Sequence, residues 1–182
     1  SSILLKQGLD IPDNTMGNWV MGAAEVLQPL GVALWKLIEK VRLLQADESP
    51  VKLLKPDKKG YMWIYQSLDP GNQFICFEFS ETRSGSVPNA RLGKFTGILQ
   101  TDGYSGYNRM RESENIVTLG CWDHARRKFA DALKIYGNNK SGLIGKMLKL
   151  IGKLYKIEQD YKDSSIADRY EARQKKSKKI FK

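Results

Sequence analysis

The sequence predicts an α/β fold: a mixed sheet with helices on its faces, preceded by N-terminal helices and followed by a C-terminal helical insertion. Three observations predict it. Stretches at 41–54, 61–68 and 73–80 are rich in aliphatic, aromatic and β-branched residues and are joined by short links, as in an antiparallel meander. Helical and strand-like segments then alternate from residue 86 to 122. Beyond Asp123 the apolar residues recur at helical spacing. The resulting order, βββ-α-β-α-β-α, gives a mixed sheet covered by helices.

Each element has its own signal. Residues 3–37 read as helical, with Asp13 or Asn14 as N-cap and Met16, Trp19, Val20, Ala23, Ala24 and Leu27 as the apolar stripe. Pro29 is expected to kink or break this run. The portion "QGLDIPDNTMGNW" is similar to the turn and second helix of a helix-turn-helix; a plain amphipathic helix pair is the competing and favoured reading. "VRLLQADESPVKLL" is an apolar run ending in acids, followed by a second run. "YMWIYQSL" and "QFICFEFS" are strands separated by "LDPGNQ", whose Pro70-Gly71 is turn chemistry. "SVPNARLGKF" is a short helix, Gly97 to Thr101 a buried strand, and "NIVTLGCW" another apolar strand. Leu143, Met147, Leu150, Leu154, Ile157 and Tyr161 form a helix-bundle stripe, with Lys146, Lys149, Lys153 and Lys156 on the other faces. Three segments are expected: helices at 1–40, a partial core at 41–136 and a basic helical insertion at 137–182.

Charge is unevenly distributed. The chain of 182 residues carries a net charge of +10. Up to residue 123 there are 13 Lys and Arg against 14 Asp and Glu; after it there are 17 against 6. A basic segment of this kind suits a nucleic-acid phosphate backbone, through counterion release. Lysine-rich solvated helix faces are the plain alternative. Two cysteines, Cys76 and Cys121, make no disulfide framework, and a reducing cytoplasmic setting is expected. No apolar run reaches the ~20 residues a membrane span needs.

The element order is the ribonuclease-H-like one, and it gives two acids special positions. Asp47 is expected at the end of the first strand and Asp102 at the end of the fourth, 55 residues apart. If those strands are neighbours, the two carboxylates converge at the sheet's edge, where ligand sites of open sheets gather. Paired carboxylates on rigid strands suit Mg²⁺ with substrate phosphate, and two ions about 3.5–4 Å apart serve in-line phosphoryl displacement. Each aspartate alone reads more readily as a turn or helix cap; both together in this strand order point to a metal site.

Five ordered blocks carry a family resemblance: "ADESPVKLL", "GYMWIY", "FEFSETRSGSVP", "GILQTDGYSGYN" and "GCWDHARRKF", with looser similarity over "GLDIPDNTMGNWVMGAAEVLQPL". On these the chain resembles the transposases of the insertion sequence sixty-six (IS 66) family, a branch of the DDE transposases. The resemblance implies a ribonuclease-H-like core that cuts and joins DNA with Mg²⁺ (or Mn²⁺), two ions in the complete site, held by two aspartates and a glutamate. The aspartates fall on Asp47 and Asp102. Glu48 belongs to the family block, but strand alternation points it away from Asp47. The family's glutamate block is not found up to Lys182, so no residue of this span is assigned as the third acid. Glu158 and Glu171 lack its motif.

Within "CWDH" three readings compete for Cys121 and His124: half a zinc site, which needs about four ligands; a histidine base near its ordinary pKa of ~6.5; or a strand-to-helix junction that supports the acids, the favoured one. Arg126, Arg127 and Lys128 follow on the first turns of a helix as DNA-contacting residues, spread over too wide an arc to share one ligand. Tyr104 and Tyr107, expected on one helical face, are candidates to stack on a base or to pack in the core. Arg83, in a loop after the third strand, is a candidate phosphate contact. The expected function is that of a DNA transposase catalytic-domain piece acting on element ends and target DNA in a homo-oligomer, without membrane contact. A non-catalytic DNA-binding module, an inactive remnant and another ribonuclease-H-like nuclease are the alternatives.

Overall fold

A computed structural model describes residues 2–53, 58–137 and 141–181. The chain forms two compact units, Ser1–Leu119 and Gly120–Lys182. The first holds five strands, β1 (Leu43–Lys52), β2 (Lys59–Ser67), β3 (Ile75–Ser80), β4 (Gly97–Thr101) and β5 (Ile116–Gly120), the last reaching the boundary. Their order in the sheet is β3-β2-β1-β4-β5. β1, β2 and β3 are antiparallel neighbours, and β1 pairs with β4 in parallel. This is the ribonuclease-H-like mixed sheet that the sequence predicts: a meander, then a crossover that places the fourth strand beside the first.

Alternation along the strands fixes which face is the core. Leu44 and Ala46 are buried on β1, opposite the buried Ser67 and Tyr65 of β2; Trp63 continues that face. Leu99 and Thr101 are buried on β4. Four elements supply the cover. Helix α2 (Asp13–Ile38) packs Leu34, Trp35 and Ile38 there, and α3 (Ser86–Leu92) adds Leu92. A 3₁₀ turn (Ser105–Tyr107) contributes Tyr107, and α4 (Asn108–Arg111) Met110. The side chain of Arg91 links three of these elements. Its Nε and Nη2 donate to the Glu78 carboxylate at 3.0 and 2.7 Å, and its guanidinium lies 3.9 Å above the Trp35 ring. On the other face of the β3 edge strand Ile75, Phe77 and Phe79 are exposed, Phe77 by 60%.

Local chemistry starts and stops the key strands. Asp69 accepts hydrogen bonds from the Arg42 and Leu43 amides, at 2.6 and 3.0 Å, and so ties the β2–β3 turn to the start of β1. Gly97 opens β4 at φ 134°, and a Cβ there would stand 2.7 Å from the Arg42 carbonyl oxygen. That carbonyl instead accepts the Ile98 amide at 2.9 Å, which sets the parallel register.

Several expectations need correction. α1 (Ser2–Lys6) and α2 are two helices, and α2 runs through Pro29 without a break. It begins after Pro12 rather than under an Asp13 or Asn14 cap; Asn14 instead accepts from Thr15 N at 2.9 Å. The stripe expected to be buried on it lies exposed from Trp19 to Leu27, because only the last turns of α2 reach the sheet. β1 does not end at Asp47; β2 pairs with it as far as Lys52. Leu54, the end of the second apolar run, lies outside the described residues. β5 is buried only at Ile116, so Cys121 does not end a buried strand.

The second unit is helical: α5 (Trp122–Ile135), α6 (Leu143–Asp160), α7 (Ile166–Ala172), a π turn (Arg173–Ser177) and α8 (Lys178–Ile180). On α6 the buried residues are Gly145, Ile151 and Leu154; of the expected stripe Leu154 is buried, Met147, Leu150, Ile157 and Tyr161 are half-buried, and Leu143 is 76% exposed. Lys146, Lys149, Lys153 and Lys156 are exposed, as the sequence predicts. Tyr155 donates to Asp123 Oδ1 at 2.6 Å, tying α6 to the first turn of α5. Glu158 accepts from Arg173 Nε and Nη2, both at 2.7 Å. No helix among the described residues is long and apolar enough to cross a membrane.

Candidate functional site

The parallel ladder decides where the two aspartates stand. Leu43 pairs with Ile98, Leu44 with Leu99 and Gln45 with Gln100. The offset is 55 residues in all three pairs, the same spacing that separates Asp47 from Asp102, which lie two residues beyond the last of them. Residues at the same level of parallel neighbours project to the same side. Leu44 and Ala46 on β1, and Leu99 and Thr101 on β4, face the core, so alternation turns Asp47 to the opposite face; Asp102 follows directly after the end of β4, where its charge reaches both Glu48 and Arg83. Both are half-buried. The strands stop pairing here, which leaves the two carboxylates at the fork where β1 runs on with β2 and β4 ends.

Hydrogen bonds orient both side chains. Asp47 Oδ1 accepts the Glu48 amide at 2.9 Å. Asp102 Oδ1 accepts the Tyr104 amide at 2.8 Å, an Asx turn of the kind aspartate favours. Arg111 braces the same turn, donating from Nη2 to the Asp102 carbonyl at 2.8 Å and from Nη1 to the Tyr104 carbonyl at 3.1 Å.

Glu48 behaves as period-two alternation requires. It points away from Asp47, toward the core, and its side chain is only 1% exposed. A buried carboxylate needs strong partners, and it has two. Arg83 donates Nε and Nη2 to Oε1 at 2.9 and 2.6 Å, and the Tyr107 hydroxyl donates to Oε2 at 2.9 Å. Burial pushes the Glu48 carboxyl above its ordinary range, against the pull of Arg83 and Tyr107. The Arg83 guanidinium is raised further by its bond to Glu48. Burial, then the negative charge of Glu48, pushes the Tyr107 phenol up.

Tyr104 and Tyr107 do not share a helical face. Tyr104 precedes the 3₁₀ turn and Tyr107 closes it, their rings meeting edge-on at 6.2 Å. Tyr107 is 0% exposed and also packs edge-on to Trp63, so it offers no face to a base. Its place among the DNA-contacting candidates is therefore withdrawn. Tyr104 is half-buried beneath the Arg83 guanidinium, which stands 4.1 Å from its ring centre.

The remaining candidates belong to the second unit. Cys121 is the N-cap residue of α5, with a free thiol, and His124 lies in the helix's first turn. Arg126, Arg127 and Lys128 are exposed on consecutive α5 positions. Among the described residues no group of three or more His, Cys, Asp or Glu side chains is placed to hold a metal ion. The donor set at the fork is two carboxylates, hard oxygen ligands of the type Mg²⁺ and Mn²⁺ accept together with water and phosphate. The residues present thus fit a divalent cation held in part by other ligands.

Sequence reasoning turned Glu48 away from Asp47 without naming its partner. A glutamate at a core-facing strand position demands a cation, and the loop after β3 supplies one in Arg83.

The family described as "Transposase IS66 family" matches residues 1–182. Two uncharacterized proteins of Sinorhizobium fredii (strain NBRC 101917 / NGR234) are similar over nearly all of the chain. One, y4jD, is 30% identical over 100% of the chain and 38% of its own length; y4qI is 28% identical over 98% and 36%. The chain therefore spans well under half the length of these relatives. Among solved structures, the HTLV-2 integrase catalytic core domain in complex with magnesium (dimeric form) is similar with a TM-score of 0.35. Its identity is 12%, over 72% of this chain and 81% of that one.

Proposed function

The chain belongs to the IS66 transposase family, and from that premise we propose that it is the portion of a DNA transposase catalytic domain that supplies the first two acids of the site. The whole protein hydrolyses the phosphodiester at element ends and joins the freed 3′-hydroxyl to target DNA, working as a homo-oligomer. The observation that supports this reading is the constant 55-residue offset between β1 and β4, equal to the spacing of Asp47 and Asp102 just beyond the last pair.

In this reading Asp47 and Asp102 hold Mg²⁺ or Mn²⁺, with a third carboxylate from the part of the protein outside these 182 residues. When bound, such ions lower the barrier to in-line phosphoryl displacement by stabilising the attacking and leaving oxygens. The chain's own residues do the rest. The Tyr104 amide and Arg111 hold the Asp102 turn in shape. Arg83 meets a DNA phosphate near the fork. Arg126, Arg127 and Lys128, in the unit that carries 17 of the 30 Lys and Arg, add sequence-independent affinity. Cys121 and His124 keep a supporting role for the site.

The test is strand cleavage by the full-length protein on DNA carrying element ends, with Mg²⁺ or Mn²⁺ supplied. Asp47→Asn and Asp102→Asn should each abolish cleavage while DNA binding persists, and Cys121→Ser and His124→Ala should weaken cleavage more than binding. Cleavage that survives both aspartate substitutions refutes the proposal. DNA binding indifferent to Mg²⁺, with no cleavage by the unaltered protein, would favour the DNA-binding-module reading, which rests on the charge of the second unit.

A further inference from the structure

We propose that Glu48 is a positioning residue: from inside the core it fixes Arg83 beside the aspartate fork, so that the guanidinium meets a DNA phosphate already oriented. The inference rests on the transposase reading above and assigns a task to an acid that reading leaves idle.

Three elements from distant parts of the sequence meet here. Glu48 comes from β1, Arg83 from the loop after β3, and Tyr104 and Tyr107 from the turn after β4. The Glu48 carboxylate, 1% exposed, is anchored on the core side by the Tyr107 hydroxyl at 2.9 Å and grips Arg83 through Nε and Nη2. The ring of Tyr104 supports the guanidinium from below, and its hydroxyl donates to the Arg83 carbonyl. The two loops touch through glycine backbone, since a Cβ on Gly85 would lie 2.8 Å from the Gly106 carbonyl oxygen. Arg83 is thus held at side chain and main chain alike.

What is held is still accessible. The Arg83 side chain remains 44% exposed although one edge of its fork lies on a buried carboxylate. Here the anion is enclosed and the cation faces out. Its place is also specific: the ring beneath it belongs to Tyr104, whose amide orients the Asp102 carboxylate. An arginine fork suits a phosphate better than a lysine point charge does, and pre-orientation removes the ordering cost of the contact.

Glu48 therefore acts through Arg83, and a mutant cycle separates this from a metal-ligand role. In the full-length protein, Arg83→Ala should reduce the slope of log K for DNA against log salt by about 1, the loss of one phosphate contact. It should also slow cleavage on the order of tenfold or more, as misplaced phosphates do. Glu48→Gln should slow cleavage similarly when Arg83 is present, and by less than about twofold when Arg83 is already alanine. Arg83→Lys should restore the salt slope but not the rate, because lysine cannot repeat the two-bonded grip. Thermal melting identifies any variant that fails to fold, and Tyr107→Phe then replaces Glu48→Gln as the milder way to loosen the anchor. An unchanged salt slope in folded Arg83→Ala overturns the inference, as does a Glu48→Gln defect that persists undiminished without Arg83. Those results leave the transposase reading intact provided Asp47→Asn and Asp102→Asn still abolish cleavage. If the aspartate variants cleave, that reading fails, and the salt slope still decides whether Arg83 meets phosphate.

Discussion

Replacing Asp69 with alanine should loosen the start of β1, the strand that carries Asp47. The Asp69 carboxylate accepts two main-chain amides, Arg42 at 2.6 Å and Leu43 at 3.0 Å, and the Ser67 hydroxyl accepts the Asp69 amide in turn. Hydrogen bonds to a charged group contribute about 1.5–3 kcal/mol each. Asp69 is only half-buried, so water replaces part of what is lost. The two bonds together should then be worth about 2–3 kcal/mol. Hydrogen exchange reads this residue by residue: the Leu43 amide should exchange ~30–150-fold faster, the factor that 2–3 kcal/mol corresponds to, while the Trp63 and Tyr65 amides in β2 change less. Urea unfolding should show a midpoint about 1 M lower, for a slope of 2–3 kcal/mol/M. Exchange at Leu43 within about twofold of the unaltered protein would refute the reasoning, because the tether would then carry no stability.

Other expected outcomes follow from the same contacts. Leu99→Ala, at a position 0% exposed in the centre of the core cluster, should destabilise the first unit by about 2–5 kcal/mol in urea unfolding. Glu158 has its carboxyl held below the usual range by the Arg173 bond. Its folded pKa is the lower one, so its contribution is complete above the ordinary value of 4.5 and fades as pH falls beneath it. Glu158→Gln should remove that acid-side sensitivity: it should lower the second unit's thermal melting modestly at pH 7, where the contribution is complete, and change it little well below pH 4.5. Burial, with the bond to Asp123, pushes the Tyr155 phenol up to about 12. An ultraviolet titration should therefore show, besides the buried Tyr65 and Tyr107 phenols that are also pushed up, a late-ionising phenol that Tyr155→Phe removes.

The strands were legible because alternation is a local signal. β4 runs over Gly97–Thr101 as the sequence predicts, and the 55-residue spacing of the aspartates turned out to be the ladder offset itself. The partners were less legible, because they lie far apart in sequence. Glu48 meets Arg83 across 35 residues and Tyr107 across 59, and Asp69 meets Arg42 across 27. Periodicity says that Glu48 faces the core without saying which cation answers it. Periodicity also misleads where an apolar stripe finds no cover within the described chain. The stripe of α2 satisfies every helical rule, yet only Leu34, Trp35 and Ile38 at its end reach the sheet. The spacing of Tyr104 and Tyr107 leaves base stacking and core packing both open, and the 3₁₀ turn settles Tyr107 in the core.

The account turns on Asp47 and Asp102 sharing a divalent cation. Binding of Mn²⁺ to the full-length protein, followed by the loss of free-ion signal in electron paramagnetic resonance, tests this most directly. The account predicts that Asp47→Asn and Asp102→Asn each weaken binding at the same site, and that the double variant is scarcely weaker than either single one. Unchanged Mn²⁺ affinity in both single variants would contradict it.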